Sequence, residues 1–183
     1  MKSMLTLPNI ITLLRVLLVP VVVICLLQHR YGMALALFAS AGFGDWLDGY
    51  LARRLHQVSR IGALLDPVAD KLIMVSVSMV LAWQCLLPVW FAGVLVLRDA
   101  VIVLGALAYH FVFGHVEMAP TRLSKFNTLL AFVVLALALG NADGLVSTGS
   151  LLPALYWLVL ATLLASGANY VWIWSRRALG GKA

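Results

Sequence analysis

The chain has 183 residues, a formal net charge of +6, and a composition that is 63% hydrophobic and only 11% charged. Long apolar runs in such a composition are typical of an integral membrane protein and argue against a soluble basic domain. The basic residues lie in short segments between the apolar runs and near the chain ends, as membrane topology requires. We therefore expect a membrane-embedded protein with no nucleic-acid partner.

Six apolar segments are long enough to cross a bilayer, whose hydrocarbon core of roughly 30 Å needs about 20 helical residues. They predict an all-α, polytopic bundle of six transmembrane helices, forming one membrane domain over residues 1–183. The first run ends without a small-residue cleavage site, so we interpret it as a retained helix and not a signal peptide. The fifth segment is the shortest. The predicted helices cover residues 9–27, 31–51, 61–83, 88–111, 123–139 and 151–174.

The distribution of Lys and Arg predicts the orientation of the bundle. Only Arg30 lies in a segment on one side of the membrane. The basic side is expected to face the cytoplasm, so both termini and the link between helices two and three should be cytoplasmic. This predicts a multi-pass protein of the inner (cytoplasmic) membrane. The residues on the basic side are Lys2, Arg53, Arg54, Arg60, Arg122, Lys125, Arg176, Arg177 and Lys182.

Four aspartates lie at the predicted cytoplasmic ends of helices two and three. Asp45 and Asp48 are three residues apart, and Asp66 and Asp70 are four apart, so each pair shares a helix face. The short link makes the two helices antiparallel neighbours, and the two pairs are expected to meet at one cavity. Because a carboxylate at membrane depth is costly, such a cluster indicates a functional site.

The chemistry of the cluster favours a divalent cation. Four close carboxylates repel one another, and one or two cations remove that repulsion. Ligands that are all oxygen suit Mg²⁺ or Mn²⁺, which also bind substrate phosphates, and the cluster has no His or Cys for zinc. Gly49 and Gly62 leave room for a ligand, and Arg53 can pair with a phosphate at the rim. The sequence thus predicts a metal site that holds a diphosphate.

A cation transporter that uses the same aspartates is the alternative from a different class. Transporters commonly bind ions near the bilayer midplane, between repeated halves with broken helices. Here the aspartates lie near one membrane face, beside a basic link, and the sequence shows no internal repeat. These features favour an enzyme.

Residues 45–70 closely resemble the CDP-alcohol phosphatidyltransferases, because they match every fixed position of the signature D-x2-D-G-x2-A-R-x8-G-x3-D-x3-D. Residues 8–15, PNIITLLR, look like the opening segment of that family, and the resemblance extends over nearly the whole chain. It implies a membrane enzyme with six transmembrane helices, commonly a homodimer. It also implies transfer of a phosphatidyl group from CDP-diacylglycerol to an alcohol, with release of CMP.

The resemblance also assigns roles to the motif residues. A pair of Mg²⁺ or Mn²⁺ ions is implied, and Asp70 would both bind metal and act as general base on the acceptor hydroxyl. The implied metal ligands are Asp45, Asp48, Asp66 and Asp70. Residues that resemble contacts to the nucleotide and diphosphate are Gly49, Ala52, Arg53 and Gly62.

The acceptor is predicted from two short stretches outside the signature. Arg98-Asp99, and the run SKFNT at residues 124–128, look more like the cardiolipin synthase branch, whose acceptor is phosphatidylglycerol. The phosphatidylglycerophosphate synthase branch, which uses glycerol 3-phosphate, more often has Arg-Glu and Gly-Lys-x-Lys-Thr at these places. We expect phosphatidylglycerol as acceptor, with glycerol 3-phosphate as the alternative.

Four more basic residues are candidates for anion binding. Arg122 and Lys125 lie one helical turn apart and can bind the phosphate of the acceptor, or only anchor the helix at an anionic lipid surface. Arg98 lies in the middle of helix four, where a buried guanidinium needs a carboxylate or a substrate as partner. Arg15, two turns inside helix one, can extend to the cytoplasmic face or bind the nucleotide phosphates.

Overall fold

The computed structural model describes the backbone of residues 7–55, 60–113 and 122–180, and the side chains of residues 14–44, 71–101 and 124–167. Over these residues the chain is all-helical, with six α-helices and no strand. The helices are α1 (Leu7–Leu27), α2 (Tyr31–Leu55), α3 (Arg60–Trp83), α4 (Val89–Phe113), α5 (Arg122–Ala142) and α6 (Leu151–Gly180). The number and order of the predicted helices are confirmed.

The predicted helix ends are less accurate than the helix count. Helix α2 continues to Leu55 and α6 to Gly180, four and six residues beyond the ends predicted from the apolar runs. The extensions are rich in polar or basic residues, which helices accept readily once the preceding turns have formed. Helix α5 also continues three residues beyond its predicted end, to Ala142, and a turn begins at Asp143.

Three helices end with a residue in the left-handed conformation, followed by the paired hydrogen bonds of a Schellman motif. After α1, His29 has φ 57°, its N–H donates to the Leu26 carbonyl over 3.0 Å, and the Arg30 N–H donates to the Cys25 carbonyl over 2.9 Å. The same pattern follows α3, where Cys85 has φ 58°, and α5, where Gly144 has φ 79°. These motifs satisfy the last carbonyl groups of each helix and stop it sharply.

Contacts group the chain into two compact units. The first combines Met1–Ala92 with Leu135–Ser147, and the second combines Gly93–Val134 with Thr148–Ala183. In the first unit α1 packs against both α2 and α3, and α2 also contacts α3. Among the described residues, the largest fully buried side chains of this unit are Val22, Leu26, Phe38, Val77, Leu81, Phe91, Leu135 and Leu139.

Two long-range hydrogen bonds join elements of the first unit. The Gln84 side-chain amide donates to the Leu26 carbonyl over 2.7 Å and ties the end of α3 to the end of α1. The Gly32 N–H, in the first turn of α2, donates to the Asp143 carboxylate over 2.6 Å. The carboxylate caps α2 from 111 residues away and satisfies one of its free N–H groups.

The outer faces of the helices are apolar. Trp83 is 86% exposed, Trp157 is 64% exposed, and many large aliphatic side chains are more than half exposed. Exposed apolar surface on this scale marks a membrane or protein interface. Among the described stretches, α5 over Ser124–Ala142 is long and apolar enough by itself to cross a membrane, and four other helices contain shorter apolar stretches of 10–17 residues.

Candidate active site

The aspartate motif lies on two helices that contact each other. Asp45 and Asp48 fall within α2, and Asp66 and Asp70 fall within α3, so the predicted helical spacing of each pair holds in the backbone. Each pair therefore occupies one face of its helix. The side chains of the eight motif residues lie outside the described ones, and their predicted roles stay predictions. Besides the aspartates, these residues are Gly49, Ala52, Arg53 and Gly62.

The donor set suits the predicted ions. Carboxylate oxygens on two continuous, neighbouring helices are hard ligands that fit Mg²⁺ or Mn²⁺ and do not favour zinc. The described side chains contain no other group of three or more His, Cys, Asp or Glu that could bind a metal. The assignment of the ions to the motif aspartates stays a prediction from the sequence.

Arg15 is buried on α1, the helix that packs against both aspartate-bearing helices. Its side chain is only 2% exposed, although it is a permanently charged guanidinium. The sequence suggested that Arg15 either extends to the cytoplasmic face or binds the nucleotide phosphates. This burial does not agree with extension to the aqueous surface, and it agrees with a role inside the first unit.

Arg98 forms a polar network between α4 and α5 in the second unit. Its Nη1 donates to Asp99 Oδ1 over 2.6 Å, and its Nη2 donates to the Ser124 hydroxyl over 2.8 Å and to the Ser124 carbonyl over 3.1 Å. Both charged side chains are 16% exposed. The described partners of Arg98 are therefore Asp99 and Ser124, and this network holds the start of α5 to α4. Binding of the acceptor by Arg98 stays a prediction.

The other two predicted acceptor residues lie at the start of α5. Arg122 is the first residue of the helix, and its side chain lies outside the described ones. Lys125 is exposed, one turn further on, where an ammonium group can meet an anion. The two residues share a helix face, as expected, and the N-terminus of the helix adds a favourable dipole for a phosphate.

Asn127 is a functional candidate that sequence reasoning used only to compare branches. It is 2% exposed, and its amide Nδ2 donates to the Thr162 carbonyl of α6 over 3.2 Å. The carbonyl of Thr162 can only accept, which fixes the orientation of the amide. Among the described residues, the buried Oδ1 atom of Asn127 has no hydrogen-bond partner. The signal in the sequence was an uncharged polar residue on the face of Ser124, at the last polar turn before the apolar part of α5.

The two cysteines are free. Cys25 is buried in the first unit, and Cys85 is exposed at the end of α3.

Comparison with known proteins identifies the family. The family model for CDP-alcohol phosphatidyltransferase matches residues 5–172, which is most of the chain. The chain belongs to the CDP-alcohol phosphatidyltransferase family, whose members are membrane-associated. The resemblance in the aspartate motif is thereby confirmed.

The chain is similar to members named for two different reactions. It is 34% identical over 93% of its length to a probable cardiolipin synthase (CMP-forming) of Drosophila melanogaster, covering 58% of that protein. It is 37% identical over 75% of its length to a cardiolipin synthase (CMP-forming) of Streptomyces coelicolor, covering 67% of it. It is also 48% identical over 52% of its length to a CDP-diacylglycerol–glycerol-3-phosphate 3-phosphatidyltransferase of Pseudomonas fluorescens, covering 51% of it. The chain thus spans only about half to two thirds of these relatives.

Proposed function

We propose that the protein is a phosphatidyltransferase that moves a phosphatidyl group from CDP-diacylglycerol to phosphatidylglycerol, releasing CMP and forming cardiolipin. The observation that supports this most is the complete signature on the contacting helices α2 and α3, in a chain that belongs to the family. The names of the Drosophila and Streptomyces relatives support the choice of acceptor.

The reaction requires one bond to form and one to break at the same phosphorus. The acceptor hydroxyl oxygen attacks the phosphatidyl phosphorus of the donor, the bond to the CMP oxygen breaks, and the hydroxyl proton moves to the Asp70 carboxylate. When bound, one or two Mg²⁺ or Mn²⁺ ions supply neutralisation of the charge on the diphosphate and on the leaving CMP. General-base help of this kind contributes about 10²–10⁴-fold.

The remaining motif residues hold the donor in this proposal. Asp45, Asp48 and Asp66 would hold the ions, and Arg53 would pair with the diphosphate. Gly49, Ala52 and Gly62 would leave space for the nucleotide, because a larger side chain on the same helix faces would fill it. Arg122 and Lys125 would bind the phosphate that both candidate acceptors contain.

The proposed setting is a bilayer crossed by all six helices, with the aspartates at the cytoplasmic surface. The exposed apolar faces of the helices and the basic segments near their predicted cytoplasmic ends support this arrangement. It lets a lipid donor and acceptor reach the site from the membrane while CMP leaves into water. A homodimer in the inner membrane is part of the same proposal.

The test is a product assay with purified protein in detergent micelles or vesicles. Labelled CDP-diacylglycerol and Mg²⁺ are supplied with phosphatidylglycerol, glycerol 3-phosphate, inositol or serine in separate reactions, and CMP and lipid products are measured. We expect cardiolipin with phosphatidylglycerol and no CMP release after chelation of the metal. Full activity in excess chelator, or product with inositol or serine alone, would contradict the proposal.

Glycerol 3-phosphate is the second candidate acceptor, because the Pseudomonas relative is named for that reaction. Product with glycerol 3-phosphate alone would select it. A cation transporter is the remaining candidate from another class, and it would move Mg²⁺ or Mn²⁺ into sealed vesicles without releasing CMP.

A further inference from the structure

Arg15 presents a charge whose partner must lie inside the first unit. At 2% exposure the guanidinium cannot be neutralised by solvent, and an uncompensated buried charge is strongly destabilising. The chain has only seven Asp and Glu residues, and five of them fall in the first unit. One of these five, Asp143, accepts the N–H of Gly32 at the far end of α2. The other four are the motif aspartates.

The position of Arg15 along the helix axes, relative to the motif aspartates, can be estimated from the hydrogen bond that joins α1 to α3. Leu26 and Gln84 are joined at one level by a 2.7 Å hydrogen bond. Arg15 precedes Leu26 by eleven residues, which is about 17 Å along a helix, and Asp70 precedes Gln84 by fourteen, which is about 21 Å. The two Cα positions therefore differ in depth by only about 4 Å, because α1 and α3 run in parallel from this tie.

The same estimate for α2 gives a similar depth. Arg15 precedes the end of α1 at Leu27 by twelve residues, about 18 Å, and Asp45 follows the start of α2 at Tyr31 by fourteen, about 21 Å. Side chains on a helix tilt toward its N-terminus, which moves the guanidinium of Arg15 further toward the aspartate level. An extended Arg side chain spans the difference that remains.

We propose that Arg15 is a fixed cation of the aspartate site. Resting on the proposed function, the inference is that its guanidinium balances the carboxylates before divalent ions bind and then faces the diphosphate of the donor. Arginine suits this role because it stays charged at any working pH and offers several N–H donors in a plane. Arg15 then acts directly, through its charge, on both metal and donor.

This role predicts opposite effects on the two ligands. Replacing Arg15 with Gln would remove a repulsion toward a divalent ion held by the motif aspartates, so Mn²⁺ alone should bind about tenfold more tightly. The same change removes an attraction toward the diphosphate, so CDP-diacylglycerol with saturating Mn²⁺ should bind about tenfold more weakly. Arg15→Lys keeps the charge and should leave both affinities within about threefold of wild type.

The experiment is a titration of Mn²⁺ by electron paramagnetic resonance and of labelled CDP-diacylglycerol by equilibrium binding, both in detergent and without turnover. Arg30→Gln, an exposed cation on the opposite side, is the matched control and should change neither affinity. Arg15→Gln affinities that are both unchanged, or both weakened together, would overturn the proposal. Absence of Mn²⁺ binding by the wild type would instead remove the metal site of the proposed function.

A double-mutant cycle that measures thermal stability keeps the test valid if the Arg15 variants fold poorly. Arg15→Met should lower the thermal unfolding midpoint, and adding Asp45→Asn or Asp70→Asn should recover part of the loss, because the excess buried charge is removed. If Arg15→Met alone gives no folded protein, recovery of monodisperse protein in the double variants is the same readout. Asp143→Asn should give no recovery. Additive losses in every double variant would show that Arg15 does not interact with the motif aspartates.

Discussion

Asp70 and Asp45 are proposed to have different duties although they lie at the same depth. Asp45 would hold metal, and through it the donor, whereas Asp70 would also take the proton of the acceptor hydroxyl. Asp45→Asn should therefore weaken Mn²⁺ and donor binding together. Asp70→Asn should lower kcat by about 10²-fold or more with a much smaller change in donor affinity. Equal loss of donor affinity in both variants would make Asp70 another metal ligand and leave the base unassigned.

Arg98 is a second buried cation, and its described bonds give it a structural role that can be measured apart from catalysis. Arg98→Met removes the ion pair with Asp99 and both bonds to Ser124, so unfolding should become easier by about 2–4 kcal/mol. Arg98→Lys keeps the charge but cannot form the same fork, and its loss should be intermediate. Thermal unfolding in detergent measures both, with exposed Arg30→Met as the control near zero.

That result also bears on the acceptor. If Arg98→Met changes the KM for the acceptor without changing stability, then the network with Asp99 and Ser124 is not what holds Arg98 in place. The residue would then belong to the acceptor site as the sequence predicted.

The left-handed residues that end three of the helices provide a prediction about stability. His29 and Cys85 adopt positive φ values that favour glycine, and both lie in Schellman motifs. A Cβ atom strains this conformation, so Cys85→Gly should stabilise the fold. Glycine also loses more backbone entropy on folding, so the net rise in the free energy of unfolding should be at most about 1 kcal/mol. Gly144→Ala, which introduces the same strain after α5, should lower it. A loss of stability in Cys85→Gly would show that its thiol makes a contact worth more than the strain.

The sequence could predict where the helices lie, but not where all of them end or how their side chains pair. Apolar runs and turn residues located all six helices, because burial in lipid or protein leaves a composition signal. The continuations of α2 to Leu55 and α6 to Gly180 were missed because helical hydrogen bonding does not require apolar side chains. The bonds from Arg98 to Ser124 and from Asn127 to Thr162 depend on the register between helices, which no local pattern contains.

Part of the candidate site could also be predicted from the sequence, and part of it could not. The spacing of the four aspartates follows from helix geometry and could be interpreted directly, together with the ion type that oxygen ligands favour. The burial of Arg15 could not be predicted, because a cation two turns into a helix can either extend to water or turn inward. Which occurs depends on the helices that surround α1.

The whole molecule is expected to cross the membrane six times with both termini cytoplasmic. A reporter fused after Ala183 should be active on the cytoplasmic side, and one inserted after Ser147, in the exposed segment between α5 and α6, should report the other side. Alkaline phosphatase and green fluorescent protein fusions measure the two locations. Reporters on the same side would contradict the six-helix arrangement and the cytoplasmic position of the aspartates.

The bond between Gly32 and Asp143 has a consequence for the order of events during synthesis. Helix α2 leaves the ribosome before α5, and the carboxylate that caps its first turn arrives 111 residues later. At about 5–20 residues per second, α2 waits about 6–22 seconds before that N–H group meets its final partner. Helix α2, which carries Asp45 and Asp48, therefore reaches its finished form only after α5 has been made, and this couples its assembly to completion of α5.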